Sequence, residues 1–407
     1  MVTKSLGFDE RRLERITEHL SRNYVDPGKI TGCQTLVARH GHIAYFSSLG
    51  LADRERGAPT ADDTLYRIYS MTKPITSVAL MMLYERGLFQ LNDPVTRVVP
   101  EWADQRVWVA GEGETMQTVA PTRPINFRDL LSHTSGLTYG GGLPGVGVEH
   151  PVDQVYRQQK IRSFQGRDAL PDFMRKLGQV PLRFHPGEQF MYSLSTDACG
   201  GLVERLSGQR FDQFLQRELF EPLGMRDTAF HVPSTKQARF AANYQRQPDK
   251  SLRCIDDPAA SPYLQVPTFF SGGGGLISTS HDYLRFCEML RRGGELDGVR
   301  ILSPRTVELM HRNHLRGGKT LLDLAVGTYA ESATAGIGFG LGFASTLDQV
   351  EAGSISAGDY YWGGAASTIF WIDPAAQLIV IFMTQLMPSR TFDFRGQLKN
   401  LVYSALT

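Results

Sequence analysis

Ser70, Met71, Thr72, Lys73 and Pro74 make up the stretch of this chain best suited to chemistry. A helix starting at Ser70 puts Lys73 one turn on, on the same face, with Cβ atoms about 5–6 Å apart. The lysine amine then reaches the serine hydroxyl. Pro74 fits a first turn, where its missing N–H would have had no intrahelical partner. The positive end of the helix dipole favours alkoxide character on the serine. A hydroxyl is a poor nucleophile until a base takes its proton. Lysine can do so only when neutral, which asks for a desolvated or cation-rich site. Taken alone, Ser-x-x-Lys is more commonly an N-capping serine beside a solvated lysine, so the reading depends on the rest of the chain.

Two further segments bear on it. His185-Pro186-Gly187-Glu188-Gln189-Phe190-Met191-Tyr192 leads through a Pro-Gly turn to Tyr192, just before a helix containing Ala198, Gly200 and Gly201. A tyrosine hydroxyl beside a lysine can relay a proton between nucleophile and leaving group; a plain core or surface tyrosine is the alternative. Tyr361-Trp362-Gly363-Gly364-Ala365 places glycines in a strand, where they weaken it unless a backbone or ligand must come close. A bare strand edge there can aim an N–H at a developing oxyanion; a bulge in an edge strand is the alternative.

The elements that must position these residues follow from periodicity. Asp9 to Arg22 reads as a helix with Leu13, Ile16 and Leu20 on one face. Cys33 to Leu49 reads as a β-hairpin turning at His40-Gly41. Thr64 to Tyr69 reads as an extended approach to a core helix over Ser70–Gly87. Further helices are expected over Phe127–Leu131, Pro171–Leu177, Thr196–Leu206, Phe211–Phe220, His281–Arg292, Pro304–His311 and Phe392–Ala405. Late strands are expected over Gly338–Ser345, Ala366–Ile372 and Leu378–Thr384, and Tyr139–His150 as a loop shaping the acceptor side of the site. Strands at both ends and helices between predict an α/β protein of the α+β type. Its antiparallel sheet is built from the N- and C-terminal segments, flanked by helices, with a helical insertion. The expected division is a discontinuous sheet domain, 1–75 with 330–407, and a mainly helical domain, 76–329, with the active site between them.

Composition narrows the class. The chain has 407 residues, 42% hydrophobic and 21% charged, an ordinary globular balance. Lys plus Arg is 43 against 42 Asp plus Glu, so there is no basic excess to attract nucleic acid. No apolar run approaches the roughly 18 residues that cross a bilayer. Cys33, Cys199, Cys254 and Cys287 are far apart and form no C-x-x-C pair, as expected for reduced thiols. With no basic-then-apolar leader at the start, the expectation is a cytoplasmic protein without nucleic-acid or membrane partners. Gly-x-Ser-x-Gly is absent, and Gly272–Gly275 lacks the following Lys-Ser or Lys-Thr of a phosphate loop. His311 and His314 lack a third ligand motif and read as surface histidines, and His133 as part of a structural turn.

The three segments, in this order, resemble the serine β-lactamase and penicillin-recognising superfamily. The likeness is strongest to class C β-lactamases and to the β-lactamase-like carboxylesterases of family VIII. It runs from about Cys33 to Phe382 and takes in Leu131–Leu137 and Gly273-Gly274-Gly275-Leu276. The resemblance implies a β-lactamase/transpeptidase-like fold. It implies Ser70 as the acylated serine, Lys73 as its activating lysine and Tyr192 as the second-motif tyrosine. It also implies that Ala365 supplies the N–H that completes the oxyanion hole with that of Ser70, and that Trp362, Gly363 and Gly364 line the substrate. Two positions depart from class C: Leu194 stands where an asparagine is usual, and Trp362-Gly363-Gly364 replaces Lys-Thr-Gly. Indole in place of a cation removes the partner of a β-lactam carboxylate. The implied activity is hydrolysis of small carboxylic esters through an acyl-enzyme, with no metal or organic cofactor and oligomeric state unspecified. Acyl transfer on the same scaffold, weak β-lactamase activity and a non-catalytic penicillin-recognition-type binding protein are the alternatives.

Overall fold

A computed structural model of the chain describes residues 2–140, 150–162, 168–326 and 335–407. Most of the Tyr139–His150 loop and the expected boundary at 330 lie outside the described residues.

The N-terminal helix α1 (Glu10–Leu20) is capped by Asp9, which accepts from Arg12 N–H, and it buries Leu13, Ile16 and Leu20 as its periodicity requires. The hairpin follows as β1 (Gly32–Arg39) and β2 (His42–Asp53). His40 and Gly41 turn between them with φ of 52° and 86°, the left-handed pair that matches strand twist. A short β3 (Ala58–Pro59) pairs with β2. The chain returns to the same sheet after nearly 280 residues, with β4 (Ile337–Phe339), β5 (Ala344–Thr346), β6 (Tyr360–Gly363), β7 (Ile369–Asp373) and β8 (Leu378–Thr384). The eight strands run β4-β5-β6-β7-β8-β1-β2-β3, and every pairing is antiparallel.

All seven residues of β8 are buried, because helices cover both faces of the sheet. On one face α1 packs with the C-terminal helix α5 (Phe394–Ser404), whose Phe394 meets Phe382 of β8. The other face carries α4 (Ser280–Arg291), whose Tyr283 ring lies 5.0 Å from that of Phe370. Thus α4, inside the segment read as the helical insertion, packs on the sheet. Beyond it lies α2 (Thr72–Glu85), buried along Thr72–Leu83, against α3 (Ser195–Ser207). Gly201 lets α3 sit tight: a Cβ there would be 2.6 Å from Met174.

Several elements differ from their sequence expectations. Gly338–Ser345 is two strands, because the chain reverses at Gly342 with φ 97°, which a continuous strand does not allow. The helix from Phe211 is α-helical only to Leu215 and continues as a wider π turn over Gln216–Phe220. Short pairings of Val107–Ala110 with Gln117–Val119, and of Asn243–Arg246 with Leu252–Asp256, had no strong alternation to announce them. Among the described residues no helix is long and apolar enough to cross a membrane.

Candidate active site

Tyr66 and Arg67 form a two-residue strand that pairs with Ile277 and Ser278, so the approach to Ser70 is held as backbone. Arg67 fixes it further. Its fully buried guanidinium donates to Asp256 Oδ2 at 2.7 Å and to Ala241 O at 2.5 Å, and stacks on Phe240. The chain then makes a 3₁₀ turn over Tyr69–Met71 before α2 begins at Thr72. Tyr69 takes φ 41°, a left-handed conformation uncommon for a tyrosine. Strain of this kind persists where the surroundings over-determine it, here immediately before Ser70. Burial pushes the Tyr69 hydroxyl up to about 12, so it stays neutral and receives Asn243 Nδ2–H.

Ser70 Oγ lies 3.3 Å from Lys73 Nζ, and both side chains are buried, 4% and 1% exposed. Lys73 Nζ also donates to Gly273 O at 2.6 Å and sits 4.5 Å from the centre of the Tyr192 ring. Tyr192 arrives on an extended segment tied down by Met191 N–H donating to His133 O. Its ring is packed by Tyr139, His133 and Trp362 at 5.5, 4.8 and 5.2 Å. The indole N–H of Trp362 donates to the Tyr192 hydroxyl at 3.1 Å.

Trp362 and Gly363 end β6, an interior strand rather than an edge. Pairing with β5 covers only Tyr360 and Tyr361, so from Trp362 onward β5 no longer covers that side. A Cβ on Gly364 would collide with Ile68 O, which means that this glycine lets the end of β6 lie directly on the turn bearing Ser70. Ala365 follows, partly exposed, in a turn closed by Ser367 N–H donating to Gly364 O. Ser70, Lys73, Tyr192 and Trp362 thus form one cluster, with Gly363, Gly364 and Ala365 at its rim. Leu194 is fully buried, two residues past Tyr192.

His133 is buried, with Nδ1 and Nε2 each 3.3 Å from a hydroxyl, of Ser193 and Thr196. Burial, and the nearby Lys73, hold its pKa well below the ordinary imidazole range. Both nitrogens are occupied in tying the turn to α3 and to the segment just before it. His311 and His314 are not the open surface residues expected: His311 stacks on Tyr360 at 4.6 Å, and His314 bonds Leu309 O. Among the described residues no group of three or more His, Cys, Asp or Glu could hold a metal ion.

Sequence reasoning missed two participants. Gly273 contributes a carbonyl, which no side-chain motif announces. Gly272 gives the signal for that close approach, since a Cβ there would lie 2.7 Å from Thr196 O. Asp197, a carboxylate buried in the first turn of α3, is the other.

Comparison with known proteins agrees with this geometry. The sequence profile described as Beta-lactamase matches residues 17–403. Protein Rv1367c of Mycobacterium tuberculosis is 34% identical over 376 residues, 91% of this chain and 90% of that protein. Esterase EstB of Burkholderia gladioli is 33% identical over 382 residues, 88% of this chain and 86% of that protein. The solved structure of EstCE1, a hydrolase with promiscuous acyltransferase activity, superposes with a TM-score of 0.79 at 28% identity, covering 99% of both chains.

Proposed function

Because the chain belongs to the Beta-lactamase family, we propose that it is a serine carboxylesterase that cleaves small carboxylic esters through an acyl-enzyme on Ser70. The observation that carries this reading is the buried 3.3 Å approach of Lys73 Nζ to Ser70 Oγ, closed over by Tyr192 and Trp362. Neutral Lys73, with Tyr192 sharing the proton, deprotonates Ser70, and Ser70 Oγ attacks the ester carbonyl. The N–H groups of Ser70 and Ala365 receive the oxyanion; losing one such donor typically costs about 10²–10³ in rate. The alcohol leaves with the proton from the Lys73–Tyr192 pair. Water, deprotonated by the same pair, attacks the acyl carbonyl and releases the acid and Ser70. The scheme calls for no metal or organic cofactor.

Esters are favoured over β-lactams by Trp362. It is an apolar ring where a cation would meet the lactam carboxylate, and Phe339 packs edge-on against it. The division into 1–75 with 330–407 and 76–329 fits this scheme, because Ser70 and Lys73 lie at the first seam, Trp362 comes from the sheet and Tyr192 from the insertion. The four free cysteines, three of them buried, support a reducing compartment such as the cytoplasm. Acyl transfer is the second reading, supported by the likeness to EstCE1 and by aromatic walls that suit an organic acceptor alcohol.

Intact-mass analysis after a fluorophosphonate probe should show one adduct, absent in Ser70→Ala, and kcat/KM for p-nitrophenyl butyrate should far exceed that for nitrocefin. An adduct that survives in Ser70→Ala, or nitrocefin turned over as well as the ester, would sink the proposal. An alcohol added to the ester assay partitions the acyl group between hydrolysis and transfer and so separates the two readings.

A further inference from the structure

Lys73 is not positioned by α2 alone. Its contact with Gly273 O, at 2.6 Å, is shorter than its 3.3 Å approach to Ser70 Oγ. That carbonyl is therefore an acceptor that helps to set where the amine rests. Gly273 is in turn held from its other side. Its N–H donates to Asp197 Oδ1 at 3.0 Å, and Ser271 Oγ donates to the same oxygen at 2.5 Å. One residue earlier, Thr76 Oγ1 on α2 donates to Gly272 O at 2.8 Å, so the glycine segment is clamped between α2 and α3.

Asp197 is wholly buried. A carboxylate taken out of water is penalised by several kcal/mol unless its oxygens are well satisfied. Hydrogen bonds to an ionised acceptor are roughly twice as strong as neutral ones. The contact is also too tight for any other residue, since a Cβ at Gly273 would collide with Asp197 Oδ2. A carboxylate buried here, bonded to the N–H of a residue whose carbonyl meets the base, is a costly arrangement for packing alone.

We infer that Asp197 is a positioning residue for the reaction: through Ser271 Oγ and the Gly273 N–H it anchors the residue whose carbonyl holds Lys73 Nζ against Ser70. The inference rests on the reading of Ser70 and Lys73 as nucleophile and base.

The test uses the full chain with Asp197→Asn and, separately, Ser271→Ala. Four quantities are measured: kcat and KM for p-nitrophenyl butyrate, the rate constant for fluorophosphonate labelling of Ser70, the fraction finally labelled, and the melting temperature. Asp197→Asn should lower kcat and the labelling rate constant by up to about 10²-fold, the scale of an ångström-sized misplacement. KM should stay within about twofold, because the aromatic walls are untouched. Ser271→Ala keeps the carboxylate and the Gly273 bond, so it should move the same rates in the same direction by less; it also decides the matter if Asp197→Asn does not fold. A loss confined to the labelled fraction, or wild-type labelling rates in the folded variants, overturns the inference and leaves the assignment of Ser70 standing. Failure of the wild-type protein to label at Ser70 removes that assignment and the inference together.

Discussion

Gly364→Ala is the sharpest single test of how the end of β6 serves the site. The glycine does not have a left-handed φ, so alanine brings no backbone strain of its own. What it brings is a methyl group aimed at Ile68 O, well inside the 3.0 Å that real Cβ atoms essentially never cross. Restoring ordinary contact at 3.4 Å requires the strand end and the Ser70 turn to part by about 1 Å. Ile68 is backbone two residues before Ser70 and cannot rotate away, unlike the Thr368 hydroxyl that the methyl also meets. On the proposed scheme, the N–H groups of Ala365 and Ser70 would then no longer converge on one oxygen. A misplacement of that size costs about 10²-fold, equivalent to about 2.7 kcal/mol of transition-state stabilisation. Overpacking adds a stability loss of about 1–3 kcal/mol, so kcat must be measured well below the melting transition and normalised to the titratable Ser70. With p-nitrophenyl butyrate, kcat should fall about 10²-fold with KM little changed. A folded Gly364→Ala enzyme within about threefold of wild-type kcat would refute the argument that this glycine sets the spacing of the two donors.

Other outcomes follow from the same geometry. Trp362→Phe keeps an aromatic wall and removes the N–H that meets Tyr192; one lost hydrogen bond of about 1 kcal/mol should lower kcat roughly fivefold, whereas Tyr192→Phe should lower it by about 10²–10⁴ as a lost proton-transfer group. Steady-state kinetics giving the larger effect to Trp362→Phe would reverse the roles of the two rings. His133 is held below its ordinary pKa in the native protein, so the unfolded chain takes up the proton first as pH falls through about 6.5. Its contribution to stability is therefore complete above that pH and is lost below it, by as much as about 1.4 kcal/mol per pH unit. Urea unfolding of the wild type and of His133→Gln across this range should show the smaller pH slope in the variant; equal slopes would count against a buried neutral imidazole.

Local features of the site were legible in the sequence, and long-range ones were not. Ser70 and Lys73 declare each other because three residues on a helix make one face. The hairpin at His40-Gly41 and the α1 stripe of Leu13, Ile16 and Leu20 are equally local. The bond from Trp362 to Tyr192 spans 170 positions, and only the family resemblance suggested that the two segments meet. The part played by Gly273 is not legible because its contribution is a carbonyl, and every residue has one. The split of Gly338–Ser345 was missed because its apolar residues suit a strand, while the decisive fact is the backbone angle at Gly342.

The order of the sheet also bears on how the chain is made. β1 finds β2 at once across a two-residue turn, but its other edge is filled by β8, roughly 340 residues later. At ordinary translation rates that edge waits tens of seconds for its partner. Through that interval Leu36, Val37 and Ala38, all buried in the finished sheet, belong to an open strand able to pair with any passing chain. The last strand of this sheet to leave the ribosome is thus the one that closes its centre, and a nascent chain halted before Leu378 is an aggregation hazard rather than a smaller working domain.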